Sequence, residues 1–180
     1  MGDKVLIING VANSGKDTFV DMVQFAIGKG RAFNRISTID FVFDLCQRLF
    51  EIPKDRSNLL DKERKFLSEM KKALNDYDGR FFEIAVSNIK NCFNHHSNCI
   101  VTVMCREPEE IARFKEEFGD TNCLAVLIRN PTEEEDIPDN KSDKGVFKYQ
   151  YDYTIRNNGS KGELLDATIK FLNEIGEIEE

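Results

Sequence analysis

Gly10-Val11-Ala12-Asn13-Ser14-Gly15-Lys16-Asp17-Thr18 is the stretch on which the fold turns. It fits G-x-x-x-x-G-K, the spacing of a Walker A phosphate loop. Val5-Leu6-Ile7-Ile8 runs into it as a buried strand that ends at the Asn9-Gly10 turn signal. Phe19, Val20, Val23, Ala26 and Ile27 follow at helical spacing, and Gly28 ends that helix. Gly10 lets the chain leave the strand sharply, and Gly15 has no side chain to obstruct a phosphate. The N–H groups of Asn13 to Thr18 can then converge on an anion at the positive end of the helix. Lys16 would stand between the β- and γ-phosphates of a nucleoside triphosphate. The bland alternative is a turn that happens to precede a lysine, and the flanking strand and helix argue against it.

Outward from the loop, strand and helix signals alternate, the pattern of an α/β fold on a parallel sheet. Phe33 to Ile39 reads as a second strand and Phe41 to Phe50 as a short helix stopped before Pro53. The stretch from Asp55 to Asn94 breaks the rhythm with two charged helices, Asp61 to Asn75 and Arg80 to Phe93, joined by Asp76-Tyr77-Asp78-Gly79. Strands return at Cys99 to Met104 and Cys123 to Ile128, with the helix Pro108 to Phe118 between them. Arg129 to Lys148, with two prolines and the acidic run Glu133 to Asp136, is too polar for core and reads as a loop or lid. Tyr149 to Ile155 is the last strand and Gly162 to Ile175 the last helix.

The 180 residues suffice for one domain with a substantial core, and no repeat or linker indicates a second. A formal charge of -7 argues against nucleic-acid or anionic-membrane partners. No apolar run reaches membrane-spanning length, and no signal segment precedes the first strand. Cys46, Cys92, Cys99, Cys105 and Cys123 form no C-x-x-C pair and read as scattered reduced thiols of a cytoplasmic protein. His95 and His96 lie in a polar loop without further metal ligands, and Lys71-Lys72 reads as a solvated helix face.

Asp17 stands where Walker A loops carry a Ser or Thr that binds Mg²⁺, with the hydroxyl one place later at Thr18. A carboxylate is a hard oxygen ligand, so Asp17 is the candidate metal residue, directly or through water. Otherwise it merely stabilises the helix N-terminus.

This G-x-x-x-x-G-K-D-T form resembles the phage-type deoxynucleoside monophosphate kinases and the animal-type phosphomevalonate kinases. Val101-Thr102-Val103-Met104-Cys105-Arg106-Glu107-Pro108-Glu109-Glu110 is similar to their strand followed by R-x-x-x-E, matched at Arg106 and Glu110. Val126-Leu127-Ile128-Arg129 resembles their strand ending in an arginine before the lid. Tyr151 to Ser160, containing Ile155-Arg156-Asn157-Asn158-Gly159, resembles their closing I-x-N-x-G strand. The resemblance implies a three-layer α/β/α P-loop fold with a five-stranded parallel sheet and helices inserted between strands two and three for the acceptor. It implies ATP with Mg²⁺, a small-molecule nucleotide acceptor, and Asn157 to Ser160 beside the adenine.

Two departures stand out. Met104 replaces an Asp two residues before the arginine, which leaves Asp40 or Glu107 to supply a water-organising carboxylate. The lid offers Lys141, Lys144 and Lys148 where arginine would be the better phosphate clamp. Within the resemblance, Arg106 serves a phosphate or forms a structural pair with Glu110, and Arg64 binds acceptor phosphate or covers a solvated face. Asp40 positions acceptor or metal-bound water, or caps its helix. The expectation is ATP-dependent transfer to a nucleoside or deoxynucleoside monophosphate. A kinase for another small phosphorylated or hydroxylated metabolite, and a low-turnover nucleotide-binding regulator, are the alternatives.

Overall fold

A computed structural model describes residues 2–11, 13–50, 52–53, 58–130 and 146–178. Five strands, β1 (Lys4–Asn9), β2 (Phe33–Ser37), β3 (Ile100–Met104), β4 (Cys123–Arg129) and β5 (Tyr153–Arg156), pair in parallel in the order β2-β3-β1-β4-β5. The central strands read as unbroken apolar runs because helices cover both of their faces. On one face Val5, Ile7, Val101 and Val103 meet α4 (Arg80–His95) through Phe82 and Ile89, and α5 (Pro108–Phe118) through Ile111 and Phe114. On the other, Leu6, Ile8, Val126 and Ile128 meet α1 (Lys16–Ile27) through Phe19 and Val23, and α6 (Lys161–Glu174) through Leu164 and Phe171. The α/β fold with a five-stranded parallel sheet expected from the sequence is therefore present.

The helices between β2 and β3 bury a small cluster of their own. α2 (Asp40–Leu49) and α3 (Asp61–Asp78) pack Val42, Phe43 and Cys46 against Leu59 and Leu67. The expected polar turn at residues 76–79 shrinks to a single residue. Asp76, Tyr77 and Asp78 continue α3, and Gly79, left-handed at φ 66°, ends it and starts α4.

The closing strand is also shorter than its alternating Tyr149-Gln150-Tyr151-Asp152-Tyr153 pattern predicts. Tyr149 and Tyr151 pack edge to face on each other, and ladder pairing to β4 begins only at Tyr153. The thiol expectation needs correcting too. Cys92, on α4, and Cys99, just before β3, form a disulfide, while Cys46, Cys105 and Cys123 are free and buried. The sequence separation of seven, outside any C-x-x-C spacing, hid the pair; the fold brings the end of α4 back to the start of β3. Among the described residues no helix is long and apolar enough to cross a membrane.

Candidate phosphate-loop site

The loop between β1 and α1 takes its shape from three residues with positive φ: Gly10 at 150°, Asn13 at 63° and Gly15 at 94°. A side chain on Gly10 would collide with the Ile128 carbonyl and the Ser14 hydroxyl. Gly15 is crowded from the opposite side, where a Cβ would strike Asn157 Nδ2. That amide donates to the Ser14 carbonyl at 3.0 Å, and the Asn157 N–H donates to the Arg129 carbonyl at 2.8 Å. The ends of β4 and β5 thus hold the loop from behind.

The Phe19 N–H donates to the Gly15 carbonyl, so the amides of Gly15, Lys16, Asp17 and Thr18 come before this first turn of α1 closes. Lys16 is buried, and its ammonium lies on the loop's own Val11 carbonyl and 3.4 Å from Ser14 Oγ. Asp17 is solvent-exposed and pairs with Arg35 of β2, whose guanidinium also lies 3.3 Å from Asp21. Gly159 N–H donates to Asn157 Oδ1 at 3.3 Å, which folds the 157–159 turn over the same end of the sheet.

Asn9, fully buried at the end of β1, fastens the loop to its neighbours. Its Oδ1 takes the Gly10 N–H at 2.7 Å, and its Nδ2 donates to Tyr151 Oη at 2.7 Å and to the Arg106 carbonyl at 3.3 Å. The Tyr151 hydroxyl donates onward to the Val146 carbonyl at 2.7 Å. Burial pushes its phenol well up, and the Asn9 bond only partly opposes that. Neither residue was expected from the sequence; a polar residue closing a fully apolar strand was the available signal.

The remaining candidates are spread along the carboxyl edge of the sheet. Arg106 follows β3 directly and lies beside Asn9 through its carbonyl. Arg129 ends β4, with its guanidinium 5.2 Å above the Phe147 ring. Asp40 takes the Ser37 N–H at 3.1 Å, back toward β2, and lines a groove of about 610 Å³ along that outer strand. Arg64 donates from Nε to the Leu59 carbonyl at 3.2 Å and so braces the entry to α3. Of the lid region, residues 131–145, with Lys141, Lys144 and the acidic run, lie outside the described residues.

Lys71 reverses its sequence reading. It is buried rather than solvated, and its ammonium contacts Thr38 Oγ1 at 2.9 Å, Glu107 Oε2 at 2.8 Å and Glu110 Oε2 at 3.0 Å. Glu110 is correspondingly turned inward. Its Oε2 also receives the Cys105 thiol at 3.3 Å and its Oε1 the Asn75 amide at 2.6 Å, so Lys71 is the buried partner found for it. Cys105, Glu107 and Glu110 converge closely enough to suit a metal ion, but the Lys71 ammonium already supplies the cation there. The signal was present in the sequence: Lys71 lies four residues after buried Leu67, on the inward stripe of α3.

No protein-family model matches the sequence, and no curated protein matches it. Solved structures do. The Mycobacterium tuberculosis APS kinase in complex with AMPPNP and APS aligns at a TM-score of 0.54 and 15% identity, over 96% of this chain and 98% of that one. Dephospho-CoA kinase from Campylobacter jejuni aligns at 0.52 and 17%, over 96% and 97%. The chain has the P-loop kinase fold. Both alignments span nearly the whole of each chain, so the shared fold extends beyond the strand–loop–helix of the phosphate site.

Proposed function

We propose that the chain is an ATP-dependent phosphotransferase acting on a small phosphorylated molecule, with a nucleoside or deoxynucleoside monophosphate as the first candidate. The observation that carries this is the loop itself: two glycines that admit no side chain, a buried lysine on the loop, and the N–H groups that precede the first closed turn of α1. ATP phosphates entering the loop would take Lys16 from the Val11 carbonyl and Ser14, together with the amides of Asn13 to Thr18. Asn157 and Gly159 would border the base.

Asp17 and Thr18 offer two hard oxygens at the first turn of α1, a donor set that suits Mg²⁺. Bound there, Mg²⁺ would neutralise charge between the β- and γ-phosphates. Asp17 must then exchange Arg35 for the metal, which is feasible for a pair this exposed. Arg106 and Arg129 would draw the transferred and acceptor phosphates into line, and Arg64 would reach the acceptor from α3. Asp40 would border the acceptor from the end of β2. Glu110 contributes by anchoring α3 through Lys71. In this reading residues 1–180 form one kinase domain, with about 55–94 as the acceptor-binding insertion and about 129–148 as the lid.

The test is ADP formation from ATP·Mg²⁺ against a panel of nucleoside monophosphates and small metabolites. Strong stimulation by one monophosphate supports the reading, and stimulation only by another metabolite keeps the phosphotransferase but changes its acceptor. Tight ATP binding with no acceptor-dependent turnover would leave a nucleotide-binding regulator. In Lys16→Ala, turnover should fall about 100- to 1000-fold, the scale of losing one donor to the developing charge.

A further inference from the structure

β1 and β3 lie side by side, yet the helices that follow them pack on opposite faces of the sheet, α1 on one and α5 on the other. In open α/β sheets ligands bind in the crevice at such a reversal, outside the carboxyl ends of the strands. The phosphate loop follows one strand of this reversal and the turn Cys105-Arg106-Glu107 follows the other, and the two are joined where Cys105 N–H donates to the Ile8 carbonyl and Asn9 Nδ2 to the Arg106 carbonyl, both at 3.3 Å.

The two glutamates on that wall differ. Glu110 is buried with both oxygens engaged. Glu107 is fixed through Oε2 alone, by Lys71 Nζ at 2.8 Å and the Arg106 N–H at 3.3 Å, with the Cys105 thiol at 3.8 Å. Its Oε1 makes no hydrogen bond among the described residues, and the side chain is 51% exposed. One oxygen is clamped, and the half-exposed side chain keeps the other without a partner in the turn that Asn9 ties to the phosphate loop.

We propose that Glu107 is a catalytic carboxylate of this chain and that the acceptor group it serves is a hydroxyl. This rests on the phosphotransferase reading and narrows it to the reacting atom. A phosphate acceptor at neutral pH brings an anionic oxygen that needs no base, so it would leave this carboxylate no proton to take. A hydroxyl has a proton to give up and donates a hydrogen bond to such an oxygen.

In the step, the acceptor oxygen bonds to the γ-phosphorus as the bond from that phosphorus to the β–γ bridging oxygen breaks. ADP leaves, and the hydroxyl proton passes to Glu107 Oε1 and then to solvent. The arginines can still hold a phosphate elsewhere on the acceptor, so a nucleoside monophosphate remains a candidate through its sugar hydroxyls. Lys71 from α3 is the positioning residue, and among the described residues Glu110 from α5 with Cys105 and Arg106, just after β3, are the other titratable or charged groups around Glu107.

The experiment compares wild type with the isosteric Glu107→Gln, using ATP·Mg²⁺, nucleoside monophosphates and phosphorylated metabolites bearing free hydroxyls. Products are identified by phosphorus NMR, and ATP-analogue affinity is measured separately. A new phosphomonoester on a hydroxyl is expected, with kcat falling about 100-fold or more in Glu107→Gln. ATP affinity should stay within about threefold, since the carboxylate touches the acceptor rather than ATP. Glu109→Gln, its exposed neighbour, should match wild type. Lys71→Met, if folded, should move the acid limb of the kcat profile to higher pH. Formation of a phosphoanhydride on a monophosphate, at a rate indifferent to Glu107→Gln, would overturn the inference and keep the kinase. A hydroxyl product made at full rate by Glu107→Gln would also overturn it. If ATP binds and neither acceptor type is consumed, the phosphotransferase reading falls and this inference with it.

Discussion

Gly15 shows how a single residue ties two distant segments into one site. Its φ of 94° and the Asn157 amide against its missing Cβ leave room for glycine alone. Gly15→Ala should therefore cost about 1–3 kcal/mol, measured by urea denaturation, and weaken ATP binding at least tenfold in a direct titration. Asn157→Ala alone removes a donor to the Ser14 carbonyl and should cost about 1 kcal/mol. Combined, the two changes should cost less than their sum, because truncating Asn157 removes the atom that the new methyl strikes. Full additivity in the double variant would show that strain in the loop, not contact with Asn157, sets the cost. The requirement for glycine is local and legible in the motif; the partner that enforces it lies 142 positions further along and is not.

Among the elements, α3 departs furthest from its sequence reading. As an isolated pattern it is a charged helix, and its lysines count as solvent-facing. In the fold, Lys71 bridges α3 to β3–α5. Lys71→Met would leave Glu110 buried without its cation and should destabilise the protein by about 3–5 kcal/mol.

The pair also carries a pH signature. Burial opposes the charge on Lys71, but Glu107 and Glu110 outweigh it and hold the ammonium above its ordinary 10.5. Burial likewise opposes the charge on Glu107, and Lys71 outweighs it, holding the carboxyl below 4.5. A raised lysine stabilises fully below its unfolded value and loses that contribution as pH rises through the folded one. A depressed carboxyl stabilises above its unfolded value and loses it as pH falls through the folded one. The difference in melting temperature between wild type and Lys71→Met should thus be widest near neutral pH and shrink below about 4.5 and above about 10.5. A difference that stays flat across that range would rule out the ion pair as its source.

Across the whole molecule the strand order decides what meets what. Placing β3 between β2 and β1 brings Arg106 beside Asn9 at the start of the phosphate loop, and returning the chain from α4 to β3 closes the Cys92–Cys99 disulfide. Thiol titration checks the second point. The native protein without reductant should show no rapidly reacting thiol, the denatured protein three, and the reduced and denatured protein all five. Five thiols in the denatured, unreduced protein would exclude the disulfide.

The sequence by itself determined the strand–loop–helix, the parallel sheet and the helical insertion, because hydrophobic periodicity and glycine placement act over a few neighbouring residues. Local pattern likewise named Lys16, Asp17 and Arg106 as site candidates, and the resemblance added Asn157. Only the tertiary structure decided that Asp17 rests against Arg35, that Lys71 is buried between two glutamates, and that Glu107 stays half exposed with one oxygen held. Those facts depend on which elements pack together, and a charged side chain on a helix reads the same whether the surface opposite it is water or a carboxylate.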